Sequence, residues 1–231
     1  MPGYFSHAEY VLAPASQTVH VPDRLSDEAA ALAEPVACVL HSVSQVDVRP
    51  EHEVLVVGAG QMGLLHQQVI SARTDANVIA TDVRADRLER AAALGADATV
   101  PSDGDMEERL HEYTPRGPDV AFVTVGSSAV QKQAIDLVGK GGSVVLYAGI
   151  HGDADPAVEV DPNRVHYEEV TITGSSMRTL ADFERAVEFL AGGGVDVDGI
   201  VTHRFPLAAI NEAMDVIGNQ EGIKAMIDPS G

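Results

Sequence analysis

From about residue 50 to residue 174, short apolar runs alternate with stretches of helical period, the pattern of a parallel sheet threaded by helices. Val54-Leu55-Val56-Val57 is apolar throughout, as a strand covered on both faces must be, and predicts a first strand over Glu53 to Val57. A helix from Gln61 to Arg73 follows, then a strand from Asn77 to Thr81. The stretch Arg84 to Leu94 reads as a helix with Leu88, Ala91 and Ala92 on one face and Gly95 as its stop. Further strands are expected at Ala98 to Val100, Val120 to Val125, Ser143 to Ala148 and Val170 to Thr173. Ser127 is placed to cap a helix running to Val138. Thr179 with Asp182 three residues on resembles a capping box, and Leu180, Phe183, Val187 and Leu190 form the expected buried stripe of the helix it opens.

The two ends break this rhythm. Ala8 to Leu12 and Thr18 to Val21 read as strands, followed by a helix near Asp27 to Val43. After Gly192-Gly193-Gly194 come a strand from Ile200 to Phe205, a helix with Ile210, Met214 and Ile217 inward, and a last strand from Lys224 to Ile227. The expected organisation is therefore a central unit over 46–195, flanked by pieces of a second, smaller domain at 1–45 and 196–231.

Composition narrows the function classes. The 231 residues carry 35 Asp and Glu against 15 Lys and Arg, a net charge of −20. Nucleic-acid binding needs cations to displace phosphate counterions, and anionic membranes repel such a surface, so neither partner is expected. No apolar run approaches the length of a spanning helix, and the N-terminus lacks a signal-peptide pattern. The lone Cys38 forms no internal disulfide and reads as a small buried residue, which with the rest points to the cytoplasm. Lysine is nearly absent, at Lys132, Lys140 and Lys224 only. Spread acids with so few lysines suggest a salt-adapted protein, as of a halophile, with an acidic mesophile protein as the alternative.

The candidate chemistry lies in Gly58-Ala59-Gly60-Gln61-Met62-Gly63, a G-x-G-x-x-G between an apolar strand and a predicted helix, with Asp82 nineteen residues after Gly63 at the end of the next strand. This is the context of the dinucleotide fingerprint. Gly58 permits the tight turn, Gly60 keeps side chains away from a pyrophosphate, Gly63 lets helix and strand pack closely, and the helix N-terminus offers amides to the phosphates. Asp82 would accept from the adenosine ribose hydroxyls and repel a 2′-phosphate, favouring NAD over NADP; Arg84 and Arg87 stand nearby, where an arginine could pair with that phosphate. Both arginines could instead be helix-surface charge, with Arg87 pairing with Asp86 or near Glu89. A methyltransferase shares the glycine-rich turn, but usually carries an acid where Val56-Val57 stands here.

The sequence resembles the medium-chain dehydrogenase/reductase family, above all its zinc-dependent alcohol and polyol dehydrogenases of the sorbitol and threonine dehydrogenase type. Matching stretches run in the family order through Ala8-Glu9-Tyr10-Val11, Leu25 to Ala30, Glu34-Pro35-Val36-Ala37-Cys38, Val54 to Gly63, Arg87 to Asp97, Gly141 to Val145, His203 to Leu207 and Gly222-Ile223-Lys224. The resemblance implies an α/β Rossmann domain with a doubly wound, six-stranded parallel sheet, plus remnants of a GroES-like β domain at both ends. It implies that Gln61 and Met62 with the three glycines, Asp82, Arg87 and Arg178 meet the cofactor. It also implies a homo-oligomer, dimer or tetramer, joined through the sheet edge near Ser143 to Ile150 and Val170 to Gly174.

Family members hold a catalytic zinc on a Cys and a His-Glu pair, and those motifs have no counterpart here. Glu34 matches a family glutamate beside the metal, as ligand or neighbour, so it is the one metal candidate, in an incomplete site. The nine histidines show no H-x-x-x-H or H-E-x-x-H spacing. His41 lies seven residues from Glu34 and could share its helix face, still short of the three ligands a catalytic zinc needs. Zinc is thus expected in the family and not on this chain. The expected function is an NAD-binding oxidoreductase-family protein whose parent reaction is reversible hydride transfer between NAD and a polyol or secondary alcohol. The chain itself is expected to be inactive or incomplete, by gene splitting, a misassigned start or deletion. A non-catalytic NAD(H)-binding sensor or subunit is the alternative.

The charge yields a first prediction. Self-repulsion at −20 should destabilise the fold in dilute buffer, whereas molar salt shortens the Debye length to about 3 Å. The melting temperature followed from low to molar KCl should rise strongly; a flat profile would remove the salt-adapted reading.

Overall fold

In the computed structural model, residues 8, 10–150 and 156–230 are described. The predicted strand at Ala8 to Leu12 includes Glu9, and His7 and His151 are among the candidate histidines; these three lie outside the described residues.

A six-stranded parallel sheet forms the centre. Its strands are β1 (Glu53–Val57), β2 (Asn77–Asp82), β3 (Ala98–Pro101), β4 (Val120–Val123), β5 (Ser143–Leu146) and β6 (Thr171–Gly174), in the order β3-β2-β1-β4-β5-β6. All the pairings are parallel, with Val54 beside Val78 on one side and Val120 on the other. This is the doubly wound Rossmann arrangement, and chain direction across the sheet reverses between β1 and β4.

Period-2 alternation sorts the apolar side chains onto two faces. Val54 and Val56 of β1 join one cluster, while Leu55 and Val57 join the other. The first face is covered by α2 (Ala33–Val43), α3 (Gln61–Arg73) and α8 (Leu180–Ala191), through Val36, Leu40, Leu64, Val69 and Val187. The second is covered by α5 (Met106–Tyr113) and α6 (Ser128–Leu137), through Met106, Leu110 and Ile135. Helix α4 (Ala85–Ala93) buries Leu88 and Ala91. Ala92 faces solvent, and Gly95, at φ 93, ends the helix as expected.

Several local expectations are corrected. The helix expected over Asp27 to Val43 divides into α1 (Asp27–Ala30), capped by Ser26, and α2. Tyr10–Leu12 and Thr18–Val21 form no strand, because no strand among the described residues pairs with them; Tyr10 and Leu12 remain 91% and 93% exposed. Ser127 occupies the N-cap of α6 but its side chain makes no cap bond. Helix α5 was not legible because only Met106 and Leu110 are buried in it. The short helices α7 (Pro162–Tyr167) and α9 (Val197–Ile200), each opened by a capping aspartate, are also additions to the predicted elements. Val187 and Leu190 of α8 face inward, but Leu180 is exposed and Ala186 takes the core position.

The chain then forms β7 (Val201–Pro206), α10 (Ile210–Gly218) and β8 (Lys224–Asp228). β7 and β8 pair in parallel with each other as a separate two-stranded sheet. Two strands offer α10 one narrow face, so only Ala213 is buried in that helix; Met214 is exposed and Ile217 borders solvent, contrary to the expected inward stripe. Among the described residues no helix is long and apolar enough to cross a membrane.

The capping box at Thr179 is present: the Asp182 amide donates to the Thr179 hydroxyl, and the Thr179 amide and hydroxyl both donate to the Asp182 carboxylate. Burial raises the Asp182 pKa, but those bonds and then Arg185 outweigh it and hold the carboxyl at about 2. His66 is buried completely in α3. Its Nδ1–H donates to the Met62 carbonyl at 2.7 Å, so Nε2 accepts from the Ser42 hydroxyl at 3.0 Å, which defines the neutral tautomer.

Burial lowers the His66 pKa from 6.5 to about 4. Below pH 6.5 the unfolded chain therefore binds a proton that the folded chain refuses. Stability should fall as pH drops from 6.5 to 4, by up to about 3 kcal/mol from this residue, and be independent of it above 6.5. Denaturant melts across that window should show the slope in the wild type and a much flatter one in His66→Gln. Equal slopes would contradict the assignment.

Candidate functional site

The site is built where β1 turns into α3. Gly58 sits at φ 96, a left-handed conformation that side chains rarely adopt, and its amide donates to the Thr81 carbonyl at 2.8 Å. A Cβ at Gly63 would lie 1.7 Å from the Gly58 carbonyl oxygen, so the helix can approach the turn only with glycine there. Gly60 differs. Its φ of −76 suits any residue, and a Cβ would meet nothing closer than the Arg87 Nη1 at 3.8 Å. Its lack of a side chain leaves open space in front of the α3 N-terminus, where the amides of the first turn have no carbonyl to pair with.

Asp82 ends β2, buried to 6% exposure. Its Oδ2 accepts from the Ala59 amide at 2.7 Å and its Oδ1 from the Arg84 amide at 2.9 Å. The carboxylate thus pins the glycine turn to β2, a role the sequence did not reveal, and keeps lone pairs for a further donor. Arg87 places Nη1 3.7 Å from Asp82, while Arg84 pairs with Asp86; the surface pairing of Arg87 with Asp86 is corrected accordingly. Thr124, at the end of β4, donates its hydroxyl to the Val57 carbonyl at 2.8 Å and closes the other side of the turn. Sequence reasoning passed over it, since a lone threonine after a strand carries no pattern.

At the C-terminal ends of β5 and β6 opens a cavity of about 1020 Å³, lined among others by Gln131, Tyr147, Gly149, Ser175 and Met177. Gln131 donates to the Ala148 carbonyl at 2.9 Å and holds the loop after β5. In an open α/β sheet ligands bind beyond these strand ends.

Glu34 lies in the first turn of α2, half-exposed, with Arg178 Nη1 3.3 Å from its Oε1. The Arg178 guanidinium also stands 5.6 Å from the Phe183 ring centroid. One turn on, the Cys38 thiol contacts Glu34 at 3.5 Å. Cys38 is half-buried, not buried as expected, and burial followed by the Glu34 charge pushes its thiol to about 11. The same helix face brings His41 Nδ1 to 3.1 Å from Asp182. Burial, then Cys38 and Glu34, raise the Tyr147 phenol. Among the described residues no three His, Cys, Asp or Glu side chains converge to hold a metal. Glu34 is turned to Arg178, and these residues do not fit a zinc site by themselves.

A strand-turn-helix with this glycine spacing, an acid closing the second strand and this strand order defines a dinucleotide-binding α/β domain. The chain belongs to the zinc-binding dehydrogenase family, whose sequence profile matches residues 62–192. It is 31% identical over 228 residues to sorbitol dehydrogenase of Halalkalibacterium halodurans, covering 97% of this chain and 65% of that one. A structure from Sinorhizobium meliloti 1021, described as a zinc-binding dehydrogenase bound to NADP, is 31% identical with a TM-score of 0.86, over 96% of this chain and 65% of that chain. The 2R,3R-butanediol dehydrogenase of Bacillus subtilis is 28% identical with a TM-score of 0.79, over 90% and 60%. The chain therefore spans just under two thirds of the length of these relatives.

The packing of α3 on its turn predicts a purely steric defect. Gly63→Ala should force helix and turn apart and destabilise the fold by roughly 1–3 kcal/mol. Urea unfolding measures this; an unchanged midpoint would contradict the close approach.

Proposed function

We propose that this chain binds NAD in preference to NADP and forms the cofactor half of an oxidoreductase that moves a hydride between NAD and a polyol or secondary alcohol. The observation that carries the reading is Gly60: its backbone does not require glycine, yet a side chain there would occupy the space between the α3 amides and Arg87. Gly58, Gly60, Gln61, Met62 and Gly63 would receive the pyrophosphate, Asp82 the ribose, with Arg87 beside it. Arg178 would stand at the far end of the cofactor. When bound, NAD supplies the hydride acceptor. The protein's own part is orientation, by amides fixed through the Asp82 pin and the Thr124 bond.

The polyol class rests on relatives such as the H. halodurans sorbitol dehydrogenase. The S. meliloti neighbour carries NADP, so the NAD preference rests on this chain's Asp82 rather than on the family. Segments 1–45 and 196–231 are read as parts of a second unit, which the separate pairing of β7 with β8 supports. We place the protein in the cytoplasm as a homo-oligomer, dimer or tetramer, with β6 as the contact because its outer edge carries no neighbouring strand in the sheet.

NADH should bind with a change in nicotinamide fluorescence and more tightly than NADPH. Gly60→Val should abolish binding of both while leaving the melting temperature within a few degrees, because a Cβ there meets only the flexible end of Arg87, at 3.8 Å. Failure of the wild type to bind either nucleotide at millimolar concentration would overturn the proposal.

A further inference from the structure

Two arginines flank Asp82, Arg87 by its guanidinium and Arg84 by its backbone amide, and the structure employs them differently. Arg87 has a single carboxylate neighbour, Asp82, at 3.7 Å. Arg84 has every guanidinium nitrogen engaged. Nε and Nη2 donate to the two oxygens of Asp86 at 2.9 and 2.7 Å, a bidentate fork, and Nη1 donates to the Gln220 carbonyl at 2.8 Å. The Arg84 amide is itself bound to Asp82, so this guanidinium is rooted beside the carboxylate that faces the ribose position. Gln220 lies in the turn after α10, at φ 59, and brings the C-terminal segment into the same cluster.

Resting on the dinucleotide reading of Gly58 to Asp82, we infer that Asp86 sets the preference for NAD over NADP by holding Arg84 away from the 2′-phosphate. Asp82, Arg84, Asp86 and Arg87 sum to zero charge, so a 2′-phosphate arriving beside Asp82 meets no net positive field. Removal of the Asp86 charge leaves the four positions at +1 and returns a planar fork of donors suited to phosphate. Asp86 touches neither ribose nor phosphate; it is a positioning residue acting through Arg84. The energy that withholds Arg84 is that of an exposed bidentate pair plus one carbonyl bond, so its release is a modest step, not an all-or-none change.

The test is fluorescence titration of the full chain with NADH and with NADPH at one fixed ionic strength, for the wild type, Asp86→Asn, Asp86→Ala, Asp86→Glu and the double variant Asp86→Asn with Arg84→Gln. The ratio of the NADPH to the NADH dissociation constant should fall roughly fivefold in Asp86→Asn and Asp86→Ala, the change equivalent to breaking one exposed ion pair. It should stay near the wild-type value in Asp86→Glu, which retains the partner charge, and return to it in the double variant, which has no arginine to release. Melting temperatures identify any variant that fails to fold, and the remaining charge-removing variant then decides. A ratio within twofold of wild type in the folded Asn or Ala variant, with NADH still bound, overturns the role of Asp86 and leaves the dinucleotide reading intact. A gain that persists without Arg84 overturns it equally. A wild type that binds neither nucleotide removes the dinucleotide reading, and this role with it.

Discussion

A buried carboxylate must be satisfied or it destabilises the fold, and here that requirement organises the turn at the centre of the sheet. Asp82 finds two backbone amides, one from the β1–α3 turn and one from the start of α4. Through them it ties three consecutive elements to a single point. Gly63 then lets α3 close against the Gly58 carbonyl. The N-terminus of α3 is left facing open space at the sheet's reversal point, with its amides fixed in direction. Rigid donors of this kind recognise an anion without reordering when it arrives.

The same economy of charge recurs around the sheet. In a chain of net charge −20, three arginines join separate elements. Arg84 links the start of α4 to the segment after α10, Arg178 links the loop after β6 to α2, and Arg204 of β7 reaches Glu28 of α1. Exposed pairs of this sort stabilise little individually. They join the flanking segments to the central sheet at its polar edge, while the apolar cluster supplies the packing.

Helix α2 shows why segment boundaries drawn on rhythm can differ from boundaries drawn on packing. It precedes the βα alternation, yet Val36, Val39 and Leu40 belong to the same apolar cluster as β1 and α3. Its polar edge carries Glu34, Cys38 and His41 toward Arg178 and Asp182 at the head of α8. A change in that contact would be felt at the loop after β6, beside the large cavity.

The central strands β1, β2 and β4 were legible in the sequence because strands buried on both faces leave near-continuous apolar runs, and the glycine turn because backbone geometry at Gly58 and close approach at Gly63 admit one residue type. The capping box at Thr179 was legible for a similar reason: it is a local bond between residues three apart. The helix α5, with two buried positions, and the exposed side of α10 were not, since burial there depends on how much surface a neighbouring element offers. Within the site, the sequence determined the residue types at Gly58, Gly60, Gly63 and Asp82. Only the tertiary structure decided that Asp82 binds the Ala59 amide, that Thr124 closes the turn, that Glu34 faces Arg178 and that Arg84 is held by Asp86 and Gln220. Apart from the nearby Arg84–Asp86 pair, those partners lie tens of residues or more apart, and no local pattern specifies which distant carboxylate or carbonyl a side chain will reach once the sheet has closed.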